Sequence, residues 1–135
     1  VILYRAEIYQ GRINSDSADL NQGPNAVIRN IEEVLEGLPK RRLIITDRFY
    51  SSVLLLSILL QRGLYHVGTI QTNRRGYCKT IPYKQEKRPK SMARGSYRIA
   101  RSKAEPGMLA VSWMDNLPVH FIATGCGTRP TRLSR

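Results

Sequence analysis

Asp47 is the residue whose placement in this sequence most directly suggests chemistry. It follows the apolar run 42–46 (Arg-Leu-Ile-Ile-Thr) at once and precedes a helical pattern over 53–62. In open α/β sheets, sites gather outside the carboxyl ends of strands. A carboxylate there can hold a divalent cation with an open coordination position. The same carboxylate can serve as a loop or capping residue, and position alone leaves both readings open. The two cysteines, Cys78 and Cys126, and the two histidines, His66 and His120, show no Cys-x-x-Cys or closely spaced His pair. Both histidines fall within strand patterns, so packed imidazoles and buried thiols are expected rather than zinc. The sequence carries no phosphate-binding glycine loop and no nucleophile elbow.

A second group of residues suggests binding. Arg74, Arg75, Lys79, Lys84, Lys87, Arg88, Lys90, Arg94 and Arg98 are interleaved with Tyr77, Tyr83 and Tyr97. Cations that meet phosphates and aromatics that stack on bases are a recipe for contacting nucleic acid. The formal net charge of the 135 residues is +12. Residues 1–72 hold 8 Lys/Arg and 7 Asp/Glu, whereas residues 73–135 hold 14 and 3. Nearly all the excess thus lies in the second half, as for a polyanion-facing segment attached to a neutral folded core. DNA is the leading partner on this reading. An anionic membrane surface and a solvated basic flank are the alternatives.

Composition narrows the classes further. Hydrophobic residues make up 41% and charged residues 24%, which is ordinary for a folded domain and too apolar for general disorder. Two cysteines cannot form a multi-bridge secreted scaffold. The longest apolar run, 53–60, falls far short of the ~20 residues that span a bilayer. The opening VILYRAEIYQ carries charge inside its apolar stretch and does not read as a signal peptide. Its first residue is Val rather than Met, as expected of a segment of something longer.

The elements that must position these residues follow from periodicity. Residues 1–9 alternate with period two, as a strand does. Asn14 to Gly23 form a polar loop holding Asp16 and Asp19. Apolar residues from Ala26 to Leu38 recur at three- and four-residue spacing, which predicts an amphipathic helix over 25–38 closed by Pro39. The β-branched run 42–46 reads as a strand covered on both faces. Ser51 or Ser52 can cap a helix over 53–62, with Gly63 closing it. Residues 65–71 form a third strand. The order strand, helix, strand, helix, strand predicts an α/β layer with parallel pairing. In the second half, 96–101 is a candidate strand, and 108–113 and 118–123 are two strands joined by a short turn at Asp115-Asn116. Trp113 is expected to anchor the core, and Asp115 to be a turn residue.

The ordered blocks resemble the piggyBac-type transposases of the DDE class. Residues 44–53, Ile-Ile-Thr-Asp-Arg-Phe-Tyr-Ser-Ser-Val, look like the family's D-[NR]-[FW]-[FY]-[TS]-S block. Val67-Gly68-Thr69-Ile70 with Asn73-Arg74 resembles its GT-[IV]-R-x-N-[KR] continuation. Arg94-Gly95, then Trp113-Met114-Asp115 running on to Val119, resemble its RG and W-x-D blocks, and Ile8 to Gly11 its YxG strand.

The resemblance implies an RNase H-like catalytic domain in which three Asp residues hold two Mg²⁺ for DNA strand cleavage and transfer. Asp47 matches the second of those acids. The resemblance places the first before Val1 and the third beyond Arg135. Asp16, Asp19 and Asp115 match no catalytic position.

The implied architecture is α/β. An incomplete RNase H-like core over 1–72 is followed by a basic, β-rich insertion segment over 73–128 and a tail over 129–135. The implied function is a fragment of a cut-and-paste DNA transposase, inactive as this chain, with Asp47 as catalytic and metal residue. The DNA-binding residues would be Arg74, Arg75, Lys79, Lys84, Lys87, Arg88, Lys90 and Arg94. DNA is the implied partner, with self-association through unpaired strand edges, a nuclear location, and neither a membrane nor a small-molecule substrate. The alternative is a non-catalytic DNA-binding module from a decayed or domesticated element. An RNA-binding α/β protein fits the charge but not the ordered blocks.

Overall fold

The computed structural model describes residues 22–129 and 131. The strand expected over 1–9, the acids Asp16 and Asp19, and most of the tail lie outside the described residues.

Helix α1 spans Gln22–Val34. Its apolar positions Val27, Ile28 and Ile31, with Leu35 beyond its end, pack on Leu55, Leu59 and Leu64. The helix ends one turn earlier than its apolar spacing predicts. Gly37 takes the left-handed conformation (φ 69°), and Pro39 disfavours helical geometry at Leu38. Strand β1 (Leu43–Thr46) leads through a tight loop to α2 (Val53–Gln61), and α2 to β2 (Tyr65–Thr69). Ser52 is the N-cap of α2, its hydroxyl accepting from the Leu55 N–H at 3.0 Å. Strands β1 and β2 pair in parallel, with Leu43 opposite Tyr65 and Thr46 opposite Gly68.

The second half supplies β3 (Ser96–Arg101), β4 (Met108–Met114) and β5 (Pro118–Thr124). Strands β4 and β5 form the expected hairpin, and β3 pairs antiparallel with β4. Strand β5 then pairs antiparallel with β2, giving one five-stranded sheet in the order β1-β2-β5-β4-β3. The neutral and basic halves thus share a single mixed sheet.

Helix α2 lies over one face and divides the core. Leu55 and Leu59 meet α1, while Leu56 meets Ile70, Tyr77, Ile81, Met108 and Ile122. Each of these side chains removes roughly 1.5–3 kcal/mol worth of apolar surface from water.

Three expectations are corrected here. Strand β1 is not covered on both faces, since Leu43 is 56% and Ile45 74% exposed. Its unbroken apolar run therefore overstates its burial, because only alternate residues face α2. Trp113 is no core anchor. It is 42% exposed, on the face opposite α2, and its indole lies 3.3 Å from where a Gly95 Cβ would stand. Tyr77 and Tyr83, read as stacking aromatics, are 3% and 8% exposed and belong to the core. The Tyr77 hydroxyl donates to the Val111 carbonyl, and burial pushes its pKa up to about 12. Arg98 covers the Tyr83 ring at 4.4 Å.

Candidate functional site

Asp47 stands at the carboxyl end of β1, beside the carboxyl end of the parallel strand β2, and is exposed. One carboxylate oxygen, Oδ1, accepts from the N–H groups of Phe49 (2.8 Å) and Tyr50 (3.3 Å). Such a turn is what Asp favours locally, and it ties the carboxylate to the loop between strand and helix.

The Asp47 main chain is held as firmly as its side chain. The Ser51 hydroxyl donates to the Asp47 carbonyl at 2.8 Å. That hydroxyl lies 2.6 Å from Thr46 Oγ1, which lies 2.7 Å from His66 Nε2. Ser51 and His66 are both 0% exposed. The His66 backbone N–H donates to Thr124 Oγ1, so strand β5 fixes this strand from its other side. Burial lowers the His66 pKa to about 4, so its ring is neutral at pH 7.

The loop is pinned from two further directions. The start of α1 comes so close that a Cβ on Gly23 would stand 2.7 Å from the Phe49 carbonyl oxygen. Arg74 donates to that same carbonyl at 3.0 Å. Phe49 and Tyr50 meet edge to face at 5.1 Å and stay 52% and 40% exposed beside the carboxylate. Sequence reasoning placed Asp47 but missed His66, Thr46 and Ser51 as its support. Two adjacent serines signalled a cap without saying which was free for another task.

The basic residues divide into two kinds. Arg75, Lys79, Lys84, Lys87 and Lys90 are exposed. Arg74, Arg88 and Arg94 have protein partners. Arg74 holds the Phe49 carbonyl, Arg88 donates to the Met92 carbonyl at 2.7 Å, and Arg94 pairs with the Asp115 carboxylate in the β4–β5 turn. Cys78 is half-buried. Its hydrogen bonds with Thr80 lower the thiol pKa.

The Asp47 carboxylate is a hard oxygen donor of the type Mg²⁺ takes. Among the described residues, however, no group of three or more His, Cys, Asp or Glu could hold a metal. The donor set seen here amounts to one carboxylate and does not by itself make a two-metal site.

Residues 1–130 match the Transposase IS4 family, and the chain belongs to it. Within that class it is a piggyBac-type, transposase-related sequence. It is 31% identical over 117 residues to PiggyBac transposable element-derived protein 2 of Homo sapiens, covering 85% of this chain and 19% of that protein. The fold is similar, with a TM-score of 0.62 at 19% identity, to a chain in the cryo-EM structure of the piggyBac transposase synaptic complex with hairpin DNA. That match covers 93% of this chain and 24% of the other. The chain therefore spans about a fifth to a quarter of the relatives it matches.

Proposed function

We propose that this chain is part of a cut-and-paste DNA transposase core, in which Asp47 is one of three carboxylates that together hold two Mg²⁺. The observation that carries this reading is the Asp47 corner: an exposed carboxylate at the mouth of a parallel strand pair, with its main chain and side chain both fixed. When bound, the metal pair would polarise the scissile phosphate and lower the pKa of an attacking water or hydroxyl. This chain's own contribution is to hold one carboxylate still and to supply cations. RNase H-like assignment of the neutral half, insertion-segment assignment of the basic half, and a nuclear location belong to the same proposal.

The exposed cations Arg75, Lys79, Lys84, Lys87 and Lys90 would contact DNA phosphates, with Arg74, Arg88 and Arg94 shaping the loops that carry them. The neighbouring transposase structure, which contains hairpin DNA, supports DNA as the partner. The one carboxylate described here is too few for the metal pair, so the chain by itself is expected not to nick DNA with Mg²⁺. Nicking by the purified chain would overturn that incompleteness. Within a complete transposase carrying this segment, Asp47→Ala is expected to abolish excision, and retained excision would remove Asp47 from the site. Mn²⁺ added to the isolated chain should broaden the NMR signals around Asp47, and the effect should vanish in Asp47→Asn.

A further inference from the structure

The hydrogen-bond chain behind Asp47 has a direction that the positions of its atoms dictate. The Asp47 carbonyl can only accept, so the single Ser51 proton is committed to it. Ser51 Oγ must then accept from Thr46 Oγ1 at 2.6 Å. That commits the Thr46 proton, so Thr46 accepts in turn from His66 Nε2 at 2.7 Å. His66 must therefore carry its proton on Nε2 and leave Nδ1 as a bare lone pair. Nδ1 is indeed buried with no hydrogen-bond partner among the described residues. A proton on Nδ1 would have no acceptor among the described residues, in keeping with the lowered pKa of this buried ring.

Space around the chain is reserved for it. Gly68 lies opposite Thr46 in the β1–β2 ladder. A Cβ on Gly68 would stand 2.6 Å from Thr46 Oγ1 and nearer still to Ser51 Oγ. Both hydroxyls thus occupy the place a side chain would take on β2.

We propose that His66 is a positioning residue for Asp47. Its Nε2–H is the terminal donor of a relay through Thr46 and Ser51 that fixes the carbonyl of Asp47, and with it the direction of the carboxylate. The role rests on Asp47 being the functional carboxylate of the proposed transposase site. His66 itself touches no reacting atom.

The first test uses the unaltered chain. Long-range ¹H–¹⁵N correlation at pH 7 should show His66 protonated on Nε2 only. The Nδ1–H tautomer or an imidazolium would overturn the relay. The second test uses amide hydrogen exchange at Phe49 and Tyr50, whose N–H groups report the Asp47 carboxylate. Thr46→Val and His66→Leu should each speed that exchange by roughly tenfold, the worth of one hydrogen bond. His66→Gln, whose amide can still donate to Thr46, should restore protection, and exchange in α1 should not move. Unchanged exchange at Phe49 and Tyr50 in Thr46→Val and His66→Leu, or equal exchange in His66→Leu and His66→Gln, would overturn the proposal. If His66→Leu does not fold, the tautomer and Thr46→Val decide. The two readings fail separately. Excision retained by Asp47→Ala in a complete transposase carrying this segment removes only the metal-ligand role, and unchanged loop exchange removes only the relay.

Discussion

Gly68 and Ser51 are packed so closely that no side chain fits between the β2 backbone and the Ser51 hydroxyl. This close approach joins two blocks distant in sequence: the glycine of the Val-Gly-Thr strand and a serine of the loop after Asp47. It explains in physical terms why a glycine stands in the middle of a strand, where it otherwise weakens pairing.

Gly68→Ala should therefore cost about 1–3 kcal/mol, the usual penalty for forcing a methyl into packed space. The loss should come with disturbed Phe49 and Tyr50 amides. Urea denaturation together with an amide spectrum checks both. A change under about 0.5 kcal/mol, typical of an unconstrained surface site, would show that the hydroxyls move aside easily.

The buried imidazole makes stability depend on pH. The His66 pKa is about 4 in the folded chain against 6.5 for the free side chain. The unfolded chain therefore binds the extra proton between those values. The contribution of neutral His66 is present in full above pH 6.5, is lost progressively as pH falls to about 4, and does not change below that. Its size is on the order of 3 kcal/mol. Burial lowers the His120 pKa in the same direction. Denaturation midpoints measured from pH 7.5 to 4 should fall, and His66→Gln should flatten much of the slope.

Replacing Lys79, Lys84 and Lys87 with Ala should weaken DNA binding without regard to sequence. The slope of log affinity against log salt should drop by roughly 0.9 for each phosphate that is no longer neutralised. Titrations at several salt concentrations on two unrelated duplexes would check this. An unchanged slope places the footprint elsewhere. Arg74→Ala should act differently, because its guanidinium holds the Phe49 carbonyl and its removal should also loosen the Asp47 loop.

The exposed apolar residues of β1 make self-association the expected behaviour of the isolated chain. Leu43 and Ile45 face away from α2, and among the described residues β1 pairs only with β2. Apolar side chains left exposed on a strand that is outermost among the described residues favour association with a second copy. Ile45→Lys should shift the chain toward the monomer in sedimentation velocity. A wild-type chain that is monodisperse at high concentration would count against the idea.

Periodicity and punctuation in the sequence determine the element order from the first described helix onward, the β4–β5 hairpin, and Asp47 at the end of a strand. These are local properties: side chains alternate or recur along one element, Gly37, Gly63 and Pro39 end helices, and Asp115-Asn116 marks a turn. The uneven charge is equally plain without coordinates. Only the tertiary structure decides that β5 lies between β2 and β4, so that the basic half completes the sheet begun by the neutral half. Antiparallel pairing of strands more than fifty residues apart leaves no local trace. The same holds for burial. Tyr77 and Tyr83 look like their exposed neighbour Tyr97 in sequence, yet they are buried, while Trp113 alternates to the face opposite α2 and stays 42% exposed. The division of labour between Ser51 and Ser52 is likewise tertiary. Both can cap a helix, but only Ser51 lies within reach of Thr46, because Gly68 on the neighbouring strand leaves room for the two hydroxyls to meet.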